Sequence, residues 1–542
     1  MPLMGAVYVG QSGLQTSQNS LNTTAHNLSN IETKGYTRQQ ILQGNKFYNT
    51  FGSASVSAMQ VGLGVDYTKT RQVRDQFLDA SYRKESGRAG FYDICAETTD
   101  EIQTLLGEME GASFAESLSG LWTSVQELQK DPSSAVTQGL FVAECSQFLE
   151  RAQAVSQGLI DYQDNLNSRI SEKVNQINEY AKQIYNLNRA IQKNESGVEE
   201  ANDLRDSRNL LVDKLSALVK TEIFESGSDG IEVYVEGVPL VLDDYVNKME
   251  LVQGENGFYD VTWGQNYNYA NVFNFGQTIS SEFNTDIGEL KGLIYARGDH
   301  RATFLDIDEE NPDISKIYNK SEDGSFIPVA DSIVMNVQAE FDKLIHDVVT
   351  SINNILTSGD PDTTVNKDAA TGYEIFVRLG TERYDGDTYV PEDKTSPRND
   401  VSTLYTVSNL KINPDLLKQP TLNKFIKPDG SVDIDKATAL ADVFARDDKL
   451  TLNPNTRSKF NFVDFYSAVV GQVGNAGSVY NKMQESQQAT VDSLEDARQE
   501  VVGVSSEDEL QNMIKFQNAF NASSRYINVI NDMLDTIINR LG

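Results

Sequence analysis

Cysteine is nearly missing from this chain. Cys95 and Cys145 are the only two in 542 residues, too few for a disulfide framework or a cysteine-built zinc site. Both fall in helical stretches and read as small buried apolar residues, with an inter-helix disulfide as the alternative. Histidine is as scarce. His26, His300 and His346 are the only three, which leaves little for imidazole-dependent metal or acid–base chemistry. No run of 18 apolar residues occurs, so no spanning helix is expected. Met1 to Gly13 has no basic leader and no small-residue cleavage site, so a standard secretory signal is not expected there. Positive charge is also short. Lys and Arg total 46 against 79 Asp and Glu, for a net charge of −33. A polyanion repels phosphate, so nucleic acid and anionic membrane surfaces are not expected partners. What remains is ordinary: 39% hydrophobic and 23% charged residues, enough for normal cores, in a length that suggests roughly three to four domains.

The charge is unevenly placed. Residues 1–60 carry one acid, Glu32, and the bases Lys34, Arg38 and Lys46. Residues 511–542 carry Asp532 and Asp535 against Lys515, Arg525 and Arg540. The two ends together are net +3, so everything between them carries −36. Charge normally keeps a surface soluble and unpaired. Ends stripped of it are either packed into the chain's own core or built to be covered by something else.

Both ends are periodic. Val7, Leu14, Leu21 and Leu28 recur every seven residues, and the positions three later, Gly10, Ser17, Thr24 and Ile31, are mostly small. A seven-residue repeat keeps one seam facing a partner helix. At the other end Met513, Phe520, Ile527, Leu534 and Leu541 form one row, with Phe516, Ser523, Ile530 and Ile537 as its companion. The spacing predicts a helix over about 506–541, with Ser506 and Glu509 as a capping box. The N-terminal helix is crowded with Gln, Ser, Asn and Thr, which compete with the helical backbone. Both ends are therefore expected to be largely disordered in the free monomer and to fold on pairing.

Between the ends, residues about 91–220 read as long helices. Ile170, Ile177, Ile184 and Ile191 sit seven apart, as in an antiparallel bundle or coiled coil. The period then changes to two: Ile231, Val233 and Val235 alternate with Glu232, Tyr234 and Glu236, so 221–283 is expected to be β-rich. Helices return at 288–297 and 333–356. Residues 358–455, rich in Asp, Asn, Thr, Gly and Pro, read as a variable mixed or β outer module, and 462 onward is helical, broken at Gly503. The expected architecture is multidomain and mainly α with inserted β modules. It is an elongated subunit with paired N- and C-terminal helices in a coiled coil. The expected domains are 1–88 with 505–542 (terminal, assembly), 89–220 with 284–357 and 456–504 (helical bundle), 221–283 (β-rich) and 358–455 (outer).

No catalytic constellation is expected. Asp306-Ile307-Asp308-Glu309-Glu310 is the densest carboxylate group, but a calcium loop starting at Asp306 needs Gly at 311 and Glu at 317, where Asn311 and Ile317 stand. Asp385-Gly386-Asp387 reads as a turn. Trp122 and Trp263 read as core. No cofactor, metal or catalytic residue is assigned.

The stretch from Asn22 through Asn27-Leu28-Ser29-Asn30 to Gly35-Tyr36-Thr37-Arg38 resembles the N-terminal signature of bacterial flagellar rod, hook and hook-associated proteins. Its continuation, Thr37-Arg38-Gln39, is most similar to the hook-associated members. The C-terminus matches independently, through Gly503-Val504-Ser505-Ser506, Met513-Ile514-Lys515-Phe516-Gln517 and Asn531-Asp532-Met533-Leu534. Ala201-Asn202-Asp203-Leu204 and Asp206-Ser207-Arg208 resemble the family's helical domain, with Arg205 and Asn209 departing from its pattern. Asn413-Pro414 and Ala439-Leu440-Ala441 resemble its return segment. The resemblance implies a secreted, non-enzymatic structural part of the flagellum, self-assembling at the junction between hook and filament. It implies as partners the hook protein, a second junction protein, the flagellar export apparatus and a cytoplasmic chaperone on the C-terminal helix. The candidate assembly residues are Val7, Leu14, Leu21, Leu28 and Ile31 with Met513, Phe516, Phe520, Ile527, Ile530, Leu534, Ile537 and Leu541. The signature residues are Asn27, Asn30, Gly35, Tyr36, Thr37 and Arg38. Other axial proteins share such termini, and a secreted enzyme or adhesin using them only for export would need a concave pocket with convergent polar groups in 221–455.

Overall fold

The structure is a computed structural model. It describes residues 2–541 except 47, 55–56, 108–112, 196–199, 228–229, 255, 276, 278, 308–317, 321–325, 329–331, 358–372, 386–387, 395–399, 424, 428–430, 447–449 and 453–457. Asp308, Glu309, Glu310, Asn311, Ile317, Gly386 and Asp387, weighed above, lie outside the described residues.

In chain order, α1 (Pro2–Ser29) leads into β1 (Gln39–Asn45), β2 (Tyr48–Ala54), β3 (Ser57–Gly62) and β4 (Val65–Gln72). The helices α2 (Gln76–Gly107), α3 (Phe114–Lys130), α4 (Ala135–Asn194) and α5 (Asn202–Leu218) follow. Next come β5 (Thr221–Glu225), β6 (Ile231–Val235), β7 (Val238–Val241), β8 (Met249–Gln253) and β9 (Tyr259–Trp263), then α6 (Glu289–Arg297). The pair β10 (Tyr318–Lys320) and β11 (Phe326–Pro328) precedes α7 (Ile333–Thr357). Short elements follow: β12 (Phe376–Arg378), β13 (Tyr384–Asp385), β14 (Thr388–Tyr389), β15 (Leu410–Ile412), α8 (Pro414–Lys418) and α9 (Ile434–Ala445). The chain closes with α10 (Phe462–Val502) and α11 (Ser506–Leu541). The fold is mainly α with small β modules, as the periodicities indicate.

Contacts divide the chain into two units, Met1–Gly87 with Gln176–Lys248 and Gln487–Gly542, and Arg88–Asn175 with Met249–Ser486. The β-rich stretch at 221–283 is thus shared. The antiparallel sheet β5-β6-β7 lies in the first unit and the β8–β9 pair in the second. The cause is local. Asn188 of α4 brackets β6, donating to the Ile231 carbonyl at 2.8 Å and accepting from its N–H at 3.3 Å.

In the first unit the chain turns back after α1 and runs β1 antiparallel to β4, with a bulge between Leu42 and Gln43. These strands stand where the sequence reading had a terminal helical domain. Alternation over Val65–Gln72 was their signal. Residues Ile177, Ile184 and Ile191 of α4 are fully buried, so the seven-residue spacing does mark a packed stripe.

The second unit is built around Phe114 of α3. Its ring sits 5.5 Å from Phe148 of α4, 4.9 Å from Phe341 of α7 and 4.8 Å from Tyr466 of α10. Tilted and edge-on contacts of this kind add to plain burial. Helix α9, which the composition of 358–455 concealed, starts on an Asp433 cap and offers Phe444 to stack on Trp122 at 5.4 Å. Trp263 is 2% exposed and packs as core, while Trp122 is part-buried. Cys95 and Cys145 are free and buried.

Candidate assembly interface

Helices α1 and α11 pack against each other as an antiparallel pair. A Cβ at Gly10 would lie 2.6 Å from Ile527 Cγ1, and one at Gly13 would lie 2.8 Å from Ser523 Oγ. Only glycine lets the two backbones come this close. The buried face of α1 is small and polar: Ser12, Thr16, Ser17, Ser20, Thr24 and Asn27 are all under 9% exposed. Its hydroxyls are satisfied locally. Ser12, Ser17 and Ser20 donate to the carbonyls of Val9, Gly13 and Thr16 at 2.7–2.9 Å. Ser12 and Ser20 also accept from Val65 N–H and the Gln43 amide of the β1–β4 pair.

The expected apolar row of α1 is therefore not the buried one. Val7, Leu14, Leu21 and Leu28 are only part-buried and flank the contact, whereas the offset small row faces inward. The physical reason is distance: glycine and serine permit a closer approach than leucine does. Ile31 lies past the helix end and is 44% exposed. On α11, Ile530 is 5% exposed, while Met513, Phe516, Phe520, Ile527 and Leu534 are part-buried. Ile537 is 41% exposed, and Leu541 ends the helix. The rows converge on the chain's own N-terminal helix, as the expected pairing of the two ends requires. Both ends are continuous helices here, and each supplies the other's cover.

The start of α11 also differs. Ser505, not Ser506, caps it, accepting from Asp508 N–H at 3.3 Å. Glu509, 3% exposed, turns away from the cap. Burial raises its pKa, against hydrogen bonds from Asn27 and Thr24 and the charge of Arg38. It latches α11 to the C-terminal end of α1.

The signature residues form a knot at that place. Asn27, 1% exposed, donates to the Gln39 carbonyl at 2.9 Å and accepts from Gln39 N–H at 3.0 Å and the Tyr36 hydroxyl at 2.8 Å. Asn30 finishes α1, donating to the His26 carbonyl and accepting from Thr33. Gly35 adopts φ +84° and leaves only 3.3 Å between a would-be Cβ and Leu210. Thr37 N–H donates to Asp206 of α5 at 3.1 Å, and the Gln72 amide holds the other oxygen at 2.7 Å. Burial lifts the Asp206 pKa to about 6 even though both Thr37 bonds pull it down. Arg38 N–H donates to the Val502 carbonyl at 2.9 Å. The roles of Asp206 and Glu509 escape sequence reading, because their partners lie far off in the chain. Glu195 holds Arg205, one of the departures from the family pattern, through paired bonds of 2.7 and 2.5 Å.

In the second unit a cavity of about 350 Å³ is lined by Asn256, Arg301, Thr303, Gln338 and Asp342, among others. Its polar groups are bound to the protein: Asp342 accepts from the N–H groups of Phe304 and Val407, and Arg301 pairs with Asp164. Asp306 accepts from His300 and from Thr303 N–H. Among the described residues no group of three His, Cys, Asp or Glu side chains is placed to hold a metal, and no helix is long and apolar enough to cross a membrane.

These groups set a pH response. Burial disfavours charge on His300 and His346, but Asp299 with Asp306, and Asp347 with Glu392, outweigh it and raise both from 6.5 to about 9. Their contribution is complete below pH 6.5 and is lost as pH rises through about 9. Glu340 is fully buried, and burial raises it from 4.5 to about 8, so its ionisation also opposes folding as pH rises. All three act in one direction. The thermal midpoint of the intact chain is expected to fall from pH 6.5 to pH 9, and Glu340→Gln should flatten part of that fall. A midpoint that rises across this window contradicts the assignment.

Residues 99–376 match the family described as the flagellar hook-associated protein FlgK helical domain, slightly over half of the chain. Residues 496–541 match the flagellar basal body rod FlgEFG protein C-terminal family, and residues 7–37 the flagella basal body rod protein family. The flagellar hook-associated protein 1 of Bacillus subtilis is 26% identical over 98% of this chain and 96% of its own length. That of Salmonella typhimurium is 25% identical over 97% of this chain and 98% of its own. The structure of the flagellar hook junction protein FlgK from Burkholderia pseudomallei superposes with a TM-score of 0.52 at 13% identity, covering 80% of this chain and all of that one. That likeness carries the fold, and the sequence matches carry the kinship: the chain belongs to the flagellar hook-associated protein family that this helical domain defines.

Proposed function

We propose that the chain does its work at the hook–filament joint through its paired ends, with the terminal part (1–88 with 505–542) as the assembly domain. It is a structural component of the bacterial flagellum at that junction. The observation that carries the reading is the pairing of α11 with a helix free of charge: Pro2–Ser29, α1, has no Asp, Glu, Lys or Arg, in a chain of net charge −33. Elsewhere like charge keeps copies of the chain apart, and only the ends let a neighbour approach. The implied neighbours are further copies of the chain, the hook protein on one side and the second junction protein on the other. A chaperone covering the apolar rows of α11 before export fits the same surface, as does passage through the flagellar export apparatus to the outside of the cell. A non-catalytic role is supported by the cavity in the second unit, where Asp342, Gln338 and Arg301 are spent on internal bonds.

Removing residues 513–542 tests this. The truncated chain is expected to keep the thermal transition of the second unit but to be lost from isolated hook–filament joints, with cells shedding unattached filament protein. Joints that still contain the truncated chain at normal occupancy would refute the role given to the ends.

A further inference from the structure

In the second unit, residues 261–281 carry no charged side chain, in a chain of net charge −33. They hold six amides and five aromatic residues instead. A tight loop at 264–271, directly after β9, gathers several of these. The loop is firmly closed. Trp263 N–H donates to the Ala270 carbonyl at 2.8 Å, and Ala270 N–H donates to the Tyr267 carbonyl at 3.0 Å. The N–H groups of Tyr267 and Asn268 donate to the carbonyls of Gly264 and Gln265 at 2.9 and 3.1 Å. Thr262 and Asn271 bridge across the base. Buried Trp263 has the Tyr267 ring tilted against it at 6.2 Å. Gln265, Asn266, Asn268 and Tyr269 are exposed. Tyr269 is the anomaly, with φ +54° beside Asn268 at +51°. Asparagine tolerates the left-handed region, but a bulky residue there is an outlier that costs stability. Burial does not repay it, since Tyr269 is 50% exposed. Glycine would hold the same turn without strain. The ring is therefore kept for something it meets outside the chain.

The loop's chemistry says what that is. None of its side chains carries a charge to meet phosphate, carboxylate or ammonium. An anionic bilayer is repelled by the chain as a whole. A protein partner is held by a cluster of large anchors, whereas this loop exposes one ring among amides. An amide both donates and accepts, as a hydroxyl does, and a single flat ring matches the C–H face of a pyranose. We infer that loop 264–271 binds a neutral saccharide, with Tyr269 stacked on a glucose-configured ring and Gln265, Asn266 and Asn268 bonding its hydroxyls. That configuration fits because its ring hydroxyls are equatorial and leave the C–H face clear. A loop already closed loses little freedom on binding. The site adds to the role at the joint and does not depend on it.

Calorimetric titration of the full chain with cellohexaose and with chitohexaose tests the site, with polygalacturonate as the anionic control. At least one neutral oligosaccharide is expected to bind with a Kd of about 1 mM or tighter, and the control is expected not to bind. Tyr269→Phe keeps the ring and should stay within about threefold of the parent chain. Tyr269→Gly should lose about tenfold or more in affinity. Its thermal midpoint should stay level or rise, because the strained backbone is relieved, and its occupancy of hook–filament joints should not change. Failure of both oligosaccharides to bind, equal binding of polygalacturonate, or full affinity of Tyr269→Gly overturns the inference. A lowered midpoint of Tyr269→Gly would make the ring a packing residue, and lost joint occupancy would make it a protein contact; either result overturns the inference as well.

Discussion

Replacing Arg498 by alanine is expected to cost about 3 kcal/mol of stability, at the lower end of what breaking a buried ion pair costs. Arg498 lies on α10 with its side chain 10% exposed. Its guanidinium donates to Asp79 of α2 at 2.9 Å, to Asp213 of α5 at 2.8 Å and to Glu495 at 3.0 Å. It also lies over the Tyr82 ring at 4.2 Å. Three helices of the first unit therefore meet on one cation. The loss is held near the lower end because each aspartate keeps a second arginine: Arg74 on Asp79 and Arg83 on Asp213. Lysine should restore less than half, since a single ammonium cannot span two carboxylates in a fixed fork. Three residues separate Val502 from the start of α11, so the cluster anchors the root of the terminal pair. Urea denaturation reads the effect, and a loss below about 1 kcal/mol, within reach of an exposed pair, would contradict the anchoring role.

The second large effect is at the signature. Asn27→Ala removes a side chain that, while 1% exposed, bonds the Gln39 backbone twice, accepts from Tyr36 and donates to Glu509. It leaves the Gln39 N–H and carbonyl without their partner, and it uncouples the Tyr36 hydroxyl. A buried group left unpaired costs about 1–3 kcal/mol, so a total near 3 kcal/mol is expected, with faster proteolysis at residues 30–38. Asn27→Asp keeps the acceptor for Tyr36 and Gln39 but places a charge beside Glu509, so it should recover little at pH 7 and more in mild acid. Equal stability of Asn27→Ala and the parent chain would show that the turn is held elsewhere.

The periodic parts of this fold were legible and the long-range ties were not. The apolar spacing of α7 places its helix to within a residue or two, and the four isoleucines of α4 mark its buried stripe without marking its ends, because burial alone dictates those patterns. On α1 the row that hydrophobicity picks out is only part-buried in the single chain, and the buried face is its companion row of small residues. Leucine marks a face by hydrophobicity, but Gly10 and Gly13 mark it by permitting approach, and here approach wins. Strands β1 and β4 escaped although Val65 to Gln72 alternates as a paired strand should. Ser505 and Ser506 are both good caps. Only the orientation of Glu509, drawn to Thr24 and Asn27, decides between them. Asp206 belongs to a stretch that resembles the family, yet nothing local says that it holds Thr37, 169 residues away. The site was thus visible as a set of positions, while the bonds that assemble it required the folded chain.

The claim on which all of this depends is that each chain's own α1 and α11 are partners. Gly13→Cys combined with Ser523→Cys measures it directly. The two Cβ positions stand 3.7 Å apart, inside the range of about 3.5–4.5 Å that a disulfide requires, and the native cysteines are buried and free. In dilute monomer under mild oxidation, the double variant is expected to close an intramolecular disulfide, seen as two lost thiols and a faster-migrating band at unchanged mass. Thiols that stay free, or bonds that form only between chains, would contradict the pairing.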